Sequence, residues 1–99
     1  MSKLDLNFQE GFNHDEVELR INGELRLRKE GVTTNLLLGL ASSAEIEVPD
    51  GLITIDIKIP TKNLAKTISL ETSGSEYLGV SIENGSIEHI VSRKPFGYA

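Results

Sequence analysis

Apolar and polar residues alternate along most of the chain. The longest such run, residues 53–59, has isoleucine at every second position. Shorter alternating runs occupy residues 4–8, 17–21, 25–28, 68–71 and 80–82. Because successive side chains of a β-strand point to opposite faces, strict alternation predicts strands with one buried and one exposed face. This pattern is typical of an antiparallel sandwich with a single buried layer.

Turn residues separate these runs. Asn22-Gly23 and Asn84-Gly85 each lie between two predicted strands, and both residue types tolerate the positive φ of a type I′ hairpin turn. Pro49-Asp50-Gly51 separates another two strands, with proline presetting one turn residue and glycine relaxing another. We therefore predict three hairpins at these positions.

Residues 33–45 depart from the alternation, since a Leu-rich stretch here is followed by Ser42-Ser43. A short helix capped by threonine is one interpretation. Gly39 and the two serines weaken it, because glycine alone costs about 1 kcal/mol in a helix interior. A buried strand followed by a Ser-rich loop is the other interpretation, and the one that we favour.

Together these elements predict one all-β domain. We expect an immunoglobulin-like, antiparallel β-sandwich of about seven to nine short strands, with a small closed β-barrel of the same pattern as the alternative. A chain of 99 residues is long enough for one domain, which we place at residues 1–92, before a basic and aromatic tail at residues 93–99. The predicted core residues are Leu6, Phe8, Val17, Leu19, Ile21, Leu25, Leu27, Ile46, Val48, Ile53, Ile55, Ile57, Ile68, Leu70, Leu78, Val80, Ile82, Ile87 and Val91.

The amino-acid composition excludes several classes of function. Fifteen acidic against ten basic residues give a net charge of −5, which argues against binding nucleic acid or an anionic membrane surface. The absence of cysteine removes disulfides, thiolate zinc sites and cysteine nucleophiles. Residues 1–5 show no signal-peptide pattern, and the longest apolar stretch, residues 36–41, is too short to span a bilayer. We expect a soluble domain without membrane insertion, cytoplasmic by default, or surface-associated if the chain has been trimmed.

The order of elements across residues 17–82 resembles that of small prokaryotic β-sandwich modules of the PEGA-like kind. A strand ends in Asn22-Gly23, and Pro49-Asp50-Gly51 introduces the long alternating strand, where the usual turn is Pro-Glu-Gly-Ala. The segments 67–70 and 77–82 follow in the same order. The resemblance implies a bacterial accessory or surface-associated module with no known chemistry.

Candidate chemistry is sparse. His14, Asp15 and Glu16 form the one cluster of histidine and carboxylates, which we interpret as a solvated loop rather than a metal site. His89 lies in the last predicted strand, where a half-buried structural role is expected. The chain has neither a Gly-x-Ser-x-Gly elbow nor a phosphate-binding glycine loop, and we predict no enzyme, no cofactor and no metal site.

The tail is the segment most suited to binding. Arg93 and Lys94 would steer it to an acidic surface, and Phe96 and Tyr98 would anchor it on a partner. The alternative is a terminus that folds back over its own sandwich.

We therefore expect a non-enzymatic interaction or structural module that acts through a strand edge or the tail, as a monomer or weak homodimer. The alternative is a domain that binds a small ligand, a carbohydrate or calcium. A ligand pocket would be lined by His14, His89 and Tyr77, and a sugar platform would use Tyr77, Phe96 and Tyr98.

Overall fold

The structure is a computed structural model that describes residues 1–98, and it consists of eight β-strands and one short 3-10 turn. The strands are β1 Ser2–Phe8, β2 Asp15–Ile21, β3 Glu24–Val32, β4 Ser42–Val48, β5 Gly51–Ile59, β6 Leu64–Thr72, β7 Ser75–Glu83 and β8 Ser86–Ser92. The 3-10 turn, Pro60–Lys62, joins β5 to β6. Residue 99, the last of the predicted tail, lies outside the described residues.

The strands form two four-stranded sheets. Sheet A has the order β4-β1-β7-β8, and sheet B has the order β3-β2-β5-β6. Neighbouring strands are antiparallel except β1 and β7, which run parallel. The predicted β-sandwich is confirmed. The closed-barrel alternative is wrong, because no strand pairing joins the two sheets within residues 1–98.

Two of the three predicted hairpins are confirmed. Asn22 and Asn84 both have φ of 51°, and the glycines after them also have positive φ, as a type I′ turn requires. The hairpin predicted at Pro49-Asp50-Gly51 is wrong, because β4 belongs to sheet A and β5 to sheet B. Turn chemistry and alternation are the same for a hairpin and for a corner between sheets, so the sequence does not distinguish them.

Residues 33–45 adopt neither predicted arrangement. The leucines form an exposed turn closed by a bridge between Asn35 and Leu40, and Ser42-Ser43 begin strand β4. The order of strand and loop is therefore the reverse of the favoured interpretation. Asn35 and Gly39 supply the turn conformation, which outweighs the apolar character of the leucines.

The core lies between the two sheets. Its buried residues are Leu4, Leu6, Phe8, Phe12, Val17, Leu19, Ile21, Val32, Val48, Ile53, Ile55, Ile57, Ile59, Ile68, Leu78, Val80 and Ile87. The predicted Leu27, Ile46, Leu70 and Ile82 are half-buried against this core.

The prediction that Leu25 and Val91 belong to the core is wrong, since both side chains are exposed. Leu25 lies opposite Arg20, whereas Leu27 lies opposite Leu19, so β3 holds one extra residue at this point. A bulge of this kind reverses the faces on which the flanking residues lie. Val91 is near the end of β8, an edge strand with one neighbour.

The two ends of the sandwich differ. Strand directions place the loops 9–14 and 33–41 at one end, together with the turns after β5 and β7. We call this the long-loop end. The opposite end carries short turns and the start of the tail.

Candidate interaction surfaces

The two loops of the long-loop end are joined by hydrogen bonds around Thr34. The Thr34 amide donates to the Phe12 carbonyl at 3.0 Å, and the Phe12 amide donates back to the Thr34 hydroxyl at 3.0 Å. The same hydroxyl donates to the Gln9 carbonyl at 2.6 Å. Because Thr34 is buried, these bonds satisfy groups that water cannot reach. The two loops thus form one braced unit.

This unit is also attached to sheet A. The Gln9 amide donates to the Val80 carbonyl at 2.7 Å, and the Ile82 amide donates to the Glu10 carbonyl at 2.8 Å. Gly11 follows with φ of 87°, and a Cβ at this position would lie 2.1 Å from the Ile82 carbonyl oxygen. The close approach of the loop to β7 therefore depends on glycine at position 11.

Leucines occupy the tip of the 33–41 loop. Leu36 and Leu37 are 91% and 88% exposed, and Leu38 is also exposed. We call Leu36, Leu37 and Leu38 the apolar tip. Isolated exposed leucines are common on protein surfaces, but here three exposed leucines are consecutive and form a contiguous apolar patch.

Asn35 holds the backbone of the apolar tip. Its side-chain oxygen accepts hydrogen bonds from the Leu37 amide at 3.0 Å and the Leu38 amide at 3.3 Å. Its own carbonyl accepts from the Gly39 amide at 2.8 Å. The tip is therefore an ordered turn with satisfied backbone groups, and its leucine side chains are displayed to solvent.

An open groove of about 390 Å³ lies beside the apolar tip. Its lining residues are Gly11, Phe12, Asn13, Thr33, Thr34 and Leu36. The hydroxyl groups of Thr33 and Thr34 are already engaged by the His14 and Phe12 amides. Two of the polar side chains that line the groove are thus already hydrogen-bonded within the loops. The predicted ligand set does not line it, since His14, His89 and Tyr77 all lie outside.

Glu10 is an acidic residue close to the apolar tip. The Glu10 carboxylate lies close to Gly39, 2.7 Å from the position that a Cβ would occupy. Glu83 ends β7 at the same end of the sandwich. Neither residue forms an ion pair within residues 1–98. The basic Lys62 nearby is engaged by Asp15 at 2.6 Å.

The cluster of His14, Asp15 and Glu16 is divided by the fold. Asp15 is buried at the start of β2, where it accepts bonds from the Thr61 hydroxyl at 2.6 Å, the Lys62 ammonium at 2.6 Å and the Asn13 amide at 2.8 Å. The placement of Asp15 in a solvated loop is therefore wrong. His14 is exposed, and Glu16 pairs with Arg28 at 2.6 Å. No group of three or more potential metal ligands occurs among the described residues.

Hydrogen bonding sets the ionisation of Asp15. Burial of the carboxyl acts to raise its pKa, but the bonds from Lys62, Thr61 and the Asn13 amide together lower it below the ordinary value of 3.8. Asp15 thus joins β2 to the 3-10 turn as a buried carboxylate with three donors.

His89 is half-buried in β8, as predicted. Its Nδ1 atom is buried and has no hydrogen-bond partner within residues 1–98. Burial lowers the pKa of His89 below 6.5, nearby Lys66 lowers it further, and Glu88 opposes both. Burial and Lys66 therefore favour the neutral form of this histidine.

The tail folds back over the outer face of sheet A. The Gln9 side chain donates to the Tyr98 hydroxyl at 3.0 Å, and that hydroxyl donates to the Asn7 side-chain oxygen at 3.0 Å. Asn7, Gly79 and Ile90 lie side by side on three neighbouring strands. A Cβ at Gly79 would meet the Gln9 amide group at 2.8 Å, so the absence of a side chain there makes room for this contact.

The other candidate residues of the tail are less engaged. Arg93 is exposed and lies 3.8 Å from the buried Glu76 carboxylate. Lys94 is exposed, and Phe96 is half-buried. The structure thus brings Tyr98 onto the chain's own sheet. Docking of the tail on a partner stays a prediction.

Comparison with protein-family models, with curated proteins and with solved structures finds no match for this chain. The PEGA-like relationship accordingly stays a prediction. No helix among residues 1–98 has the length and apolar character needed to cross a membrane.

The apolar tip was not identified from the sequence. Its signal is the placement of Asn35 before and Gly39 after three leucines, because these residue types favour a turn. The prediction from sequence gave more weight to the leucines, which favour burial, than to the turn residues on either side of them.

Proposed function

We propose that this protein is a non-enzymatic interaction module that binds a partner protein through the apolar tip. The observation that carries the proposal is the exposure of Leu36 and Leu37, at 91% and 88%, on a turn whose backbone is held by Asn35. A turn with a braced backbone loses little backbone freedom when it binds, so more of the burial energy of its leucine side chains is available for affinity. The resemblance to PEGA-like modules supports the same accessory role.

The charges around the tip indicate the chemistry of the partner. Glu10 places negative charge beside the loop that carries the leucines, and Glu83 adds a second negative charge at the same end of the sandwich. Neither forms an ion pair within residues 1–98. A complementary surface is an apolar pocket bordered by lysine or arginine. The same charges disfavour insertion of the tip into an anionic bilayer.

The experiment places a photo-crosslinking amino acid at position 37, with position 52 as the matched control. Leu52 is also an exposed leucine, at 73%, but it lies on sheet B away from the long-loop end. The partner cross-linked from position 37 is then purified, and its affinity is measured for the wild type, for Leu36→Ser/Leu37→Ser and for Leu52→Ser.

Burial of a leucine side chain is worth about 1.5–3 kcal/mol, so the double variant is expected to bind at least about a hundredfold more weakly. The Leu52→Ser variant is expected to bind like the wild type. Equal affinity of the double variant, or equal cross-linking of the partner from position 52, contradicts the proposal. Sedimentation with zwitterionic vesicles, lost in the double variant, would assign the tip to a lipid surface instead.

A further inference from the structure

Strand β8 is the edge of the sandwich with the fewest charged residues, and one side-chain hydrogen bond, from Lys66 of β6 to the Ile87 carbonyl, reaches it. The edges of β3 and β4 are joined to each other, because Arg26 donates to the Glu47 carbonyl at 2.7 Å and Lys29 to the Ser43 carbonyl at 3.0 Å. The β6 strand carries the charged Lys66 and Glu71. In β8 the sole formally charged residue is Glu88. Charged residues are the usual protection of an edge strand against pairing, and β8 has the fewest.

The register of sheet A shows which backbone groups of β8 face away from the sheet. The Val80 carbonyl accepts a hydrogen bond from the Gln9 amide on the β1 side. The backbone amide and carbonyl of Val80 therefore point toward β1 and away from β8. His89 is paired with Val80 across the two strands. In an antiparallel ladder such a pair is not hydrogen-bonded, and His89 therefore directs its amide and carbonyl to the free edge.

Ile87 and Val91 share this orientation, since they lie two residues from His89 on either side. The Ile87 carbonyl accepts a bond from the Lys66 ammonium at 3.2 Å, which agrees with an outward direction. The backbone groups of His89 and Val91 have no partner on that side within residues 1–98.

We propose that two copies of this protein pair through β8, antiparallel, about a two-fold axis at Ile90. This register places His89 opposite Val91 of the second copy, so the free backbone groups of each strand meet those of the other. Ile90 lies opposite Ile90 of the second copy in a pair that is not hydrogen-bonded, the arrangement in which facing side chains are closest. The two sheets A then form one continuous sheet.

Charge and side-chain bonds disfavour the two neighbouring registers centred on Glu88 and on His89. Glu88 lies opposite Ser92 of the second copy, so no like charges meet. A register centred on Glu88 would place the two carboxylates face to face. A register centred on His89 would require the Ile87 carbonyl, which Lys66 occupies. Centring on Ile90 also covers the side chain of Ile90, which is 59% exposed.

The symmetry has a consequence for binding. An axis perpendicular to the sheet reverses the strand direction, so the two long-loop ends point in opposite directions. The dimer would then present one apolar tip at each end. This bivalence rests on the proposed function, whereas the β8 pairing does not.

The first experiment uses the absence of native cysteine. In the proposed register the two Cα atoms at position 90 are separated by about 4.5 Å, within the range of a disulfide. Ile90→Cys is expected to form a covalent dimer under mild oxidation. Ser86→Cys, on the same face of the same strand but away from the axis, is expected to stay monomeric. Equal cross-linking of the two variants, or faster cross-linking of Ser86→Cys, overturns the register.

The second experiment tests the interface by charge. The mass of the wild type is measured by size-exclusion chromatography with light scattering, and a dimer is expected. Ile90→Lys and Ile90→Glu each place like charges opposite each other and are expected to be monomers. An equimolar mixture of the two is expected to regain the dimer, because opposite charges then meet. A monomeric wild type, or a dimer that persists in both variants, overturns the proposal. Thermal melting of each variant is the control that the substitution leaves the domain folded.

Discussion

The Tyr98 hydroxyl donates a hydrogen bond of 3.0 Å to the side chain of Asn7, which lies 91 residues earlier in the chain. Asn7 lies on the outer face of β1, and it is buried although it faces away from the core. The Asn7 amide group in turn donates to the Asp5 carboxylate at 2.9 Å. A short polar network therefore holds the tail on sheet A.

Tyr98→Phe should weaken this attachment. The change removes one donor and leaves the Asn7 oxygen without it, so the free energy of unfolding is expected to fall by about 1 kcal/mol. Deletion of residues 93–99 is expected to cost more, because it also removes Phe96. Chemical denaturation measures both. Tyr77→Phe is the control, since the Tyr77 hydroxyl makes no side-chain hydrogen bond in the part of the chain that the structure describes. An unchanged stability after deletion would mean that the tail is free to bind a partner.

Asp15→Asn should destabilise the domain by about 2–3 kcal/mol, because a buried carboxylate with three donors loses its charge. Its folded pKa is lowered below 3.8, so its contribution is present above that pH and is lost as the pH falls through the folded value. The difference between wild type and variant should therefore shrink in acid. Denaturation curves across the acidic range measure this. Asp56→Asn, which removes an exposed acceptor of one bond from Thr67, should have a smaller effect at every pH.

Gly11→Ala and Gly23→Ala form a matched pair. Both positions have positive φ, 87° and 84°, so both variants carry the conformational cost of an L-residue, about 1 kcal/mol. An alanine Cβ at position 11 would also collide with the Ile82 carbonyl at 2.1 Å, whereas position 23 is open. Gly11→Ala is expected to lower the melting temperature clearly more than Gly23→Ala. Equal effects would mean that the 9–14 loop does not lie against β7 in solution.

The lowered pKa of His89 predicts a pH-dependent stability. The unfolded chain binds the proton more tightly than the folded one, so the stability is greatest well above pH 6.5 and decreases as the pH falls through that value toward the folded pKa. The melting temperature should fall between about pH 7.5 and pH 5.5. His89→Gln should reduce that dependence, and His14→Gln, in an exposed loop, should retain it. If the melting temperatures of the wild type and of His89→Gln changed with pH in the same way, His89 would not be the source of the pH dependence.

The sequence predicted local structure well where one residue type determines one conformation. Alternating isoleucines in residues 53–59 predicted a strand with one buried face, and Asn22-Gly23 predicted a hairpin. The sandwich itself also followed from these patterns.

Contacts between distant residues could not be predicted in this way. Burial of Asp15 depends on Thr61 and Lys62 from another strand connection. The extra residue in β3, which exposes Leu25, is visible only in its pairing with β2. The apolar tip is exposed because Asn35 holds a turn, whereas hydrophobicity alone predicts burial for leucine.

The faces of β5 provide the most direct test of the fold. Ile55 is fully buried between the sheets, whereas Leu52, on the same strand, is 73% exposed. Ile55→Asp places a charge without a partner in the core, and it is expected to unfold the domain, since that cost exceeds the marginal stability of a small domain. Leu52→Asp adds the same charge to the outer face and should change stability by less than about 0.5 kcal/mol. Circular dichroism and thermal melting distinguish the two. A folded Ile55→Asp variant with an unchanged melting temperature would reverse the assignment of inner and outer faces in sheet B.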